Sequence, residues 1–308
     1  MEPLPGEVEE LLSWLAAEKG RSPNTLAAYR RDLAFYATFL ADRGLAPVEV
    51  TEDVVEAYVA FLRAAGRAPS SVARALVSVR ALHRFLAEGG RATGNPAGHV
   101  GPPRVPAEAP RILTEQEVST LLGAVVGDHS VARRDRAILE VLYGGGLRVS
   151  ELVGLGLDDV DLRAGLLRGV GPGSRRRDVP VGQSAADALA AWLTPAGRGS
   201  LTPGRWARKG DAEAVFLNAR GGRLSRQGAW RIVHLHGDTV GLAGTLTPHV
   251  LRHSCAAHML DHGADPRVVE ELLGHVPAIT AGPARLSTQR LQRDHAAAHP
   301  RAFGAKPH

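Results

Sequence analysis

A short segment combines a glycine turn with an arginine and a glutamate, at a spacing that suits anion binding. In Gly144–Leu152, three glycines and a leucine precede Arg148, and Glu151 follows three residues later. Glycines let a backbone turn sharply and approach a ligand closely. The planar guanidinium of arginine matches the geometry of a phosphate group. The segment therefore predicts an arginine held at a turn where it can contact a phosphate.

Two further segments place histidines and a second arginine at helix ends. Thr247 followed by proline is typical of a helix start, which puts His249 and Arg252 on one face of the first turn. In the sequence Leu-Leu-Gly-His, a helix ends at glycine and His275 lies just beyond it. Each segment alone also fits an ordinary turn or cap. Their combination, in this order, favours a shared site.

The charge balance of the chain favours a polyanionic partner. The 308 residues carry a net charge of +5, and only three of the 37 basic residues are lysines. Arginine suits bidentate phosphate contacts. A GC-rich genome, which favours arginine codons, is an alternative explanation that composition alone leaves open.

Other features of the sequence predict a cytoplasmic protein without a membrane partner. No stretch approaches the roughly 18 apolar residues that a membrane span needs. The N-terminus is acidic and amphipathic, which is unlike a signal peptide. The single cysteine, Cys255, excludes an intramolecular disulfide and fits a reducing compartment.

The first ninety or so residues predict a compact bundle of four helices. An apolar stripe runs through residues 7–19, and further helices begin at Ser22-Pro23, at Thr51 and at Pro69-Ser70. Five of the chain's twenty prolines lie between Thr93 and Pro110. We therefore expect an N-terminal domain over 1–92, a linker over 93–112, a C-terminal domain over 113–300 and a tail over 301–308.

The second domain is expected to be mixed. Thr114 and Glu117 form a capping box that starts a helix. Residues from Leu166 to Val181 alternate in polarity around a Gly-Pro-Gly break and predict a β-hairpin. Helical patterns fall near 114–125, 130–143, 183–193, 225–240, 248–261 and 266–273. The fold class is thus mainly α with a small antiparallel sheet (α+β).

With these elements in place, the chain resembles the tyrosine recombinase (phage integrase) family, and within it the Xer branch. The motifs are SPNTLAAYRRDLAFYATFL, GLRVSELVGL, DVDL, HVLRHSCAAHMLDHGADPRVVEELLGH and a terminal AAAHPRA. The resemblance implies site-specific recombination of duplex DNA through a 3′-phosphotyrosyl intermediate. It also implies homo- or hetero-tetramers with a related recombinase, and roles in chromosome-dimer resolution or DNA integration. In relatives a helix follows the tyrosine and reaches into a neighbouring protomer, and the resemblance predicts that helix here over Leu286–His299.

The resemblance also assigns residues. Arg148 and Arg252 would bind the scissile phosphate, and His249 and His275 would transfer protons and donate hydrogen bonds to it. Glu151 would hold these side chains in position without touching the phosphate. Two forked guanidiniums can stabilise the charge of phosphoryl transfer without a metal, so neither a metal nor another cofactor is implied. Arg175, Arg176 and Arg177 follow the hairpin break; we expect them to contact DNA phosphates, with a solvated charge run as the alternative.

Two catalytic positions of the family are not filled. Pro172 stands in the hairpin where relatives carry a lysine, and arginines nearby are poor general acids because their pKa exceeds about 12. Pro283 falls at the place of the nucleophilic tyrosine, and the four tyrosines, Tyr29, Tyr36, Tyr58 and Tyr143, all precede His275.

Two explanations of these gaps stay open. One is a genuine loss, which would leave a non-catalytic DNA-binding or architectural partner of an active recombinase. The other is a local sequence artefact within residues 276–286. A metal-dependent phosphodiesterase using His249 and His275 is disfavoured, because the sequence shows no carboxylate–histidine cluster.

Overall fold

The chain divides into two units, Met1–Glu108 and Ala109–His308. The structure, a computed structural model, describes residues 4–102, 111–171, 176–274 and 286–303. Within these ranges, no helix has the length and apolar character needed to cross a membrane.

The first unit contains the four predicted helices: α1 (Gly6–Ala17), α2 (Pro23–Ala41), α3 (Glu52–Ala64) and α4 (Pro69–Glu88). Ser22 caps α2 by accepting a hydrogen bond from the backbone N–H of Thr25 at 3.2 Å. The core is formed by the apolar stripes of all four helices, among them Leu11, Leu33, Tyr36, Val55, Tyr58, Leu76 and Leu82.

Two residues that the sequence places in the linker belong to this first core. Ala97 and Val100 are 0% and 4% exposed. Arg80 of α4 donates hydrogen bonds to the carbonyl oxygens of both residues. The chain that follows α4 is therefore folded back onto its own unit at least as far as Val100.

The second unit contains eight helices within the described ranges. These are α5 (Glu115–Gly123), α6 (Ser130–Gly144), α7 (Val149–Gly154), α8 (Gln183–Trp192), α9 (Arg226–Thr239), α10 (Pro248–Asp261), α11 (Pro266–Leu273) and α12 (Thr288–Ala298). All were expected from the sequence except α7, whose six residues are too few for an apolar period to show.

A small antiparallel sheet completes the second unit. Its strands are β1 (Val160–Asp161), β2 (Leu166–Val170) and β3 (Arg177–Pro180), in the order β1-β2-β3. The register pairs Leu166 with Pro180 and Leu167 with Val179. The predicted hairpin and the predicted fold class, mainly α with a small antiparallel sheet, are confirmed.

The C-terminal helix α12 packs on its own unit and meets the end of α6. His295 donates from Nε2 to the carbonyl oxygen of Gly144 at 2.8 Å, and His299 makes the same contact with Tyr143 at 3.3 Å. Arg301 pairs with the buried Glu140, with a distance of 3.0 Å from Nε to Oε2. These bonds fix the last turn of α6, directly before the glycine turn that carries Arg148.

Candidate active site

The glycine turn after α6 is set by a close approach of two helices. Gly146 has a φ of +56°, a backbone conformation that residues with a Cβ rarely adopt. A Cβ at this position would lie 2.7 Å from Cδ2 of Leu273 and 3.3 Å from Sγ of Cys255. Both the backbone angle and the packing against α10 and α11 therefore require glycine here.

Arg148 follows this turn as the N-cap residue of α7 and is bound to Glu151. Its backbone N–H donates to Oε2 of Glu151 at 2.8 Å, and its Nη1 donates to Oε1 at 3.0 Å. A further hydrogen bond joins its Nη2 to the carbonyl oxygen of Gly274 at 3.4 Å. The side chain remains 40% exposed, so its guanidinium is held in place and still faces solvent.

The Glu151 carboxylate is the centre of the site. Its side chain is 4% exposed, and three guanidiniums surround it: Arg148 at 3.0 Å, Arg177 at 2.9 Å and Arg252 at 3.7 Å. Burial alone would favour the protonated acid, but hydrogen bonds and charge from Arg177 and Arg148 outweigh it and hold the pKa of Glu151 below its usual value. One negative charge thus anchors three positive ones.

Arg252 lies in the interior of the site. Its side chain is 4% exposed, and it donates hydrogen bonds to the carbonyl oxygens of Gly146 and Leu273. Burial lowers the pKa of Arg252 to about 10, and the neighbouring charge of Arg148 acts in the same direction. Arg252 therefore joins the glycine turn to the end of α11, with Arg148 as the exposed partner.

Arg177 belongs to this site, which the sequence did not indicate. The sequence places Arg176 and Arg177 together on a hairpin that contacts phosphate, but the structure separates them. Arg176 is 57% exposed and bound to Asp159, whereas Arg177 is 10% exposed and bound to Glu151 and to the carbonyl oxygen of Leu272. Successive residues of a strand point to opposite faces, so a run of arginines cannot serve one surface.

His249 is the exposed histidine of the site, and it is paired. Its Nε2 lies 2.9 Å from Nε2 of His253, one turn further along α10. The two rings are nearly perpendicular, at 85°. Burial lowers the pKa of His249, and the charges of Arg252 and Arg148 add to that effect. A neutral imidazole beside two guanidiniums can accept a proton, as a general base requires.

Four predicted positions lie outside the described residues: Pro172, Arg175, His275 and Pro283. The structure does describe the end of α11, which closes at Gly274 in the left-handed conformation, with a φ of +64°. A Cβ on Gly274 would lie 2.9 Å from Nη1 of Arg177. This glycine both ends the helix as predicted and leaves room for Arg177.

The second unit's single tyrosine is part of its core. Tyr143 is 1% exposed, and its hydroxyl lies 2.8 Å from Nδ1 of His258. Burial raises the pKa of Tyr143 above its usual value, so its nucleophilic phenolate form is harder to reach. The hydroxyl of Ser287, four residues after Pro283, caps α12. It accepts a hydrogen bond from the backbone N–H of Arg290.

The Glu151 site suits an anion, and its guanidiniums are not metal ligands. Three guanidiniums and one carboxylate leave a net charge of two positive units around Glu151. No group of three or more histidine, cysteine or acidic side chains with metal-binding geometry occurs in residues 4–102, 111–171, 176–274 and 286–303.

Both units match known protein families. Residues 111–281 match the phage integrase family, and residues 8–90 match the N-terminal SAM-like domain of phage integrases. The tyrosine recombinase XerD of Mycobacterium tuberculosis is 43% identical, over 98% of this chain and 100% of that protein. The tyrosine recombinase XerC of Pelotomaculum thermopropionicum is 38% identical, over 96% and 99%.

Solved structures agree on the fold. An integrase of the transposon Tn1549, in complex with a circular intermediate DNA, covers 87% of this chain and 91% of its own, with a TM-score of 0.70 and 18% identity. A lambda integrase dimer bound to a core site covers 92% and 98%, with a TM-score of 0.66 and 18% identity. The chain belongs to the phage integrase family of tyrosine recombinases, in its Xer branch.

Proposed function

We propose that this chain is a Xer-type site-specific recombinase that acts on duplex DNA and holds one backbone phosphate at the Glu151 site. The observation that carries the proposal is the ring of three guanidiniums on one buried carboxylate. Two positive charges remain there after Glu151 is counted. Fixed positive charge in a partly desolvated site stabilises the extra negative charge that a phosphate acquires in phosphoryl transfer.

The residues divide this work by exposure. Arg148 contacts the phosphate directly, because its guanidinium is exposed and already oriented by Glu151. Arg252 contributes positive charge from the buried side of the site and holds the glycine turn at Gly146. His249 accepts or returns a proton, and the resemblance assigns the same role to His275. Arg176 contacts a neighbouring phosphate from the exposed edge of the hairpin.

A pair of substitutions tests this division. Arg148→Ala should abolish binding of vanadate, a phosphate mimic, while general duplex affinity stays nearly unchanged. Arg176→Ala should leave vanadate binding intact and reduce the salt dependence of duplex binding by about one phosphate contact. If Arg148→Ala weakens vanadate binding and duplex binding equally, Arg148 is only one more contact to the DNA backbone.

The chain as written carries no tyrosine after His275, where the resemblance places the family's nucleophile. All four tyrosines precede His275, and the one in the second unit is buried. Strand cleavage through a phosphotyrosyl ester therefore needs a tyrosine from another source. We propose that a related recombinase supplies it within a hetero-tetramer on paired DNA sites.

The burial of Tyr143 also favours a second candidate function, a non-catalytic duplex-binding or architectural partner of an active recombinase. Both candidates predict a duplex affinity that falls steeply with salt, because bound arginines release counterions from DNA. A flat salt response would contradict both. Mixing the chain with an active Xer-type homologue separates them: strand exchange that requires this chain's Arg148 supports the first, and exchange indifferent to Arg148→Ala supports the second.

Resequencing the codons for Leu272–Leu291 decides whether the tyrosine is absent from the gene. A shifted reading frame that restores a tyrosine near Pro283 would make the chain a recombinase with its own nucleophile. Codons that stand as written leave the nucleophile to a partner.

A further inference from the structure

Two histidines of α10 face each other at the edge of the candidate site. His249 and His253 are separated by one helical turn, and their Nε2 atoms lie 2.9 Å apart. His249 is exposed and His253 is half-buried, so a solute can reach the pair. A hydrogen bond across this contact requires one ring to donate its Nε2 proton and the other to accept it.

The distance suits a metal ion as well as a proton. Two imidazole nitrogens, each about 2.05 Å from a metal and at a right angle, lie about 2.9 Å apart. Right angles between ligands are found in the square-planar and tetragonal sites that Cu²⁺ and Ni²⁺ prefer. A small rotation of both rings would turn their lone pairs towards one point. Histidines at i and i+4 of a helix are a known metal-binding pair.

The surroundings also keep His249 ready to bind. Burial and the nearby guanidiniums of Arg148 and Arg252 disfavour protonated His249, and a metal ligand must be neutral imidazole. The ring that donates its Nε2 proton can carry that proton on Nδ1 instead, so no proton needs to leave the pair. The same positive charges oppose a cation, which limits the site to ions with high intrinsic affinity for imidazole.

We propose that His249 and His253 form a two-nitrogen site for a divalent transition metal ion, with Cu²⁺ bound more tightly than Ni²⁺. Water completes the coordination shell. The ion is not a catalytic cofactor: it occupies Nε2 of His249 and so removes this histidine from proton transfer. The binding itself stands on the geometry of α10, whereas the inhibitory effect rests on the proposed function.

Titration of the untagged full chain with Cu²⁺ tests the site directly. We expect one tightest site per chain, and an electron paramagnetic resonance spectrum with hyperfine coupling to two imidazole nitrogens. His253→Gln and His249→Gln should each weaken this site on the order of tenfold or more, because a second ligand on the same scaffold binds at high effective concentration. Ni²⁺ should bind the same site more weakly.

His99→Gln is the matched control, since it removes an exposed histidine from the first unit. It should leave the tightest site unchanged. Retention of that site in both α10 variants, or a spectrum with fewer than two imidazole nitrogens, would overturn the proposal. Duplex binding measured without metal keeps the two proposals apart. Loss of duplex binding with an intact Cu²⁺ site would reject the function alone, and the reverse result would reject the metal site alone.

Discussion

Replacing Glu151 by glutamine removes the charge that anchors three arginines. The carboxylate is 4% exposed and accepts hydrogen bonds from Arg148 and Arg177. Glutamine keeps the shape but leaves three partly desolvated guanidiniums without a counter-charge. Removing one partner of a buried ionic network costs about 3–5 kcal/mol. For a unit of this size, that loss lowers the melting temperature by roughly 6–20 °C.

Urea unfolding and thermal melting, followed by tryptophan fluorescence, measure this change. Glu115→Gln is a matched control, because Glu115 is an exposed carboxylate paired with His262 on the same unit. Exposed pairs contribute little to stability, so the control should melt with the wild type. A Glu151→Gln variant that melts with this control would refute the anchoring role.

The pH dependence of the difference gives a second check with a definite sign. The folded pKa of Glu151 lies below its usual value, so the carboxylate stabilises the fold at any pH above the unfolded value of about 4.3. This contribution is lost as the pH falls from there through the folded pKa. The gap between wild type and Glu151→Gln should therefore stay constant from pH 5 to pH 8 and narrow in more acidic solution.

Three further predictions concern stability and reactivity. Gly146→Ala should lower the melting temperature more than Gly263→Ala. Both glycines have positive φ, but of the two only Gly146 would place a Cβ against another side chain, at 2.7 Å. Equal losses in the two variants would show that packing at Gly146 does not matter. Burial holds the pKa of His299 well below 6.5, so the free energy of unfolding should fall as the pH drops below about 6.5. This histidine contributes up to ~1.4 kcal/mol per pH unit, and the fall should be smaller in His299→Gln. The same pH dependence in both proteins would contradict the prediction. Burial raises the pKa of Cys255 to about 12, so a thiol reagent should label it only in denaturant, and rapid labelling of the native chain would contradict its place in the core.

Local sequence signals were enough to predict most of the elements. The capping box at Thr114 and Glu117 forms as expected, with hydrogen bonds of 2.8 and 3.1 Å between side chains and backbone. Thr247 caps α10 as its sequence indicates. Such signals act within a few residues, so they can be read without knowledge of the rest of the fold.

The network around Glu151 depends on contacts between distant segments, and it could be predicted only in part. The resemblance assigned Arg148, Glu151 and Arg252 to one site, and in the structure both guanidiniums lie within 3.7 Å of the Glu151 carboxylate, while their roles stay predictions. Arg177 was missed because its inward direction follows from strand register, which a three-arginine run does not reveal. The His249–His253 contact follows from a spacing of four along α10, whereas the predicted site used only the spacing of three between His249 and Arg252.

The C-terminal segment gives a similar lesson. The sequence predicts a helix after Leu286, and α12 is present from Thr288 to Ala298. Its polarity does not show where it packs, because two of the residues that dock it, beside Leu291, are histidines. His295 and His299 are each 4% exposed and bind backbone carbonyl oxygens near the glycine turn. Buried histidines with carbonyl partners look like surface residues in a hydropathy pattern.

The most direct test of the account uses nicked duplex DNA and the full chain from a sequence-verified gene. A duplex is first enriched from a random pool by binding to the protein, and versions nicked at each position across it are then incubated with the chain alone. Denaturing electrophoresis reports any covalent protein–DNA product. The account predicts tight, salt-sensitive binding and no covalent product at any nick, because the second unit's single tyrosine, Tyr143, is buried in its core. A covalent product formed by the chain alone would contradict it.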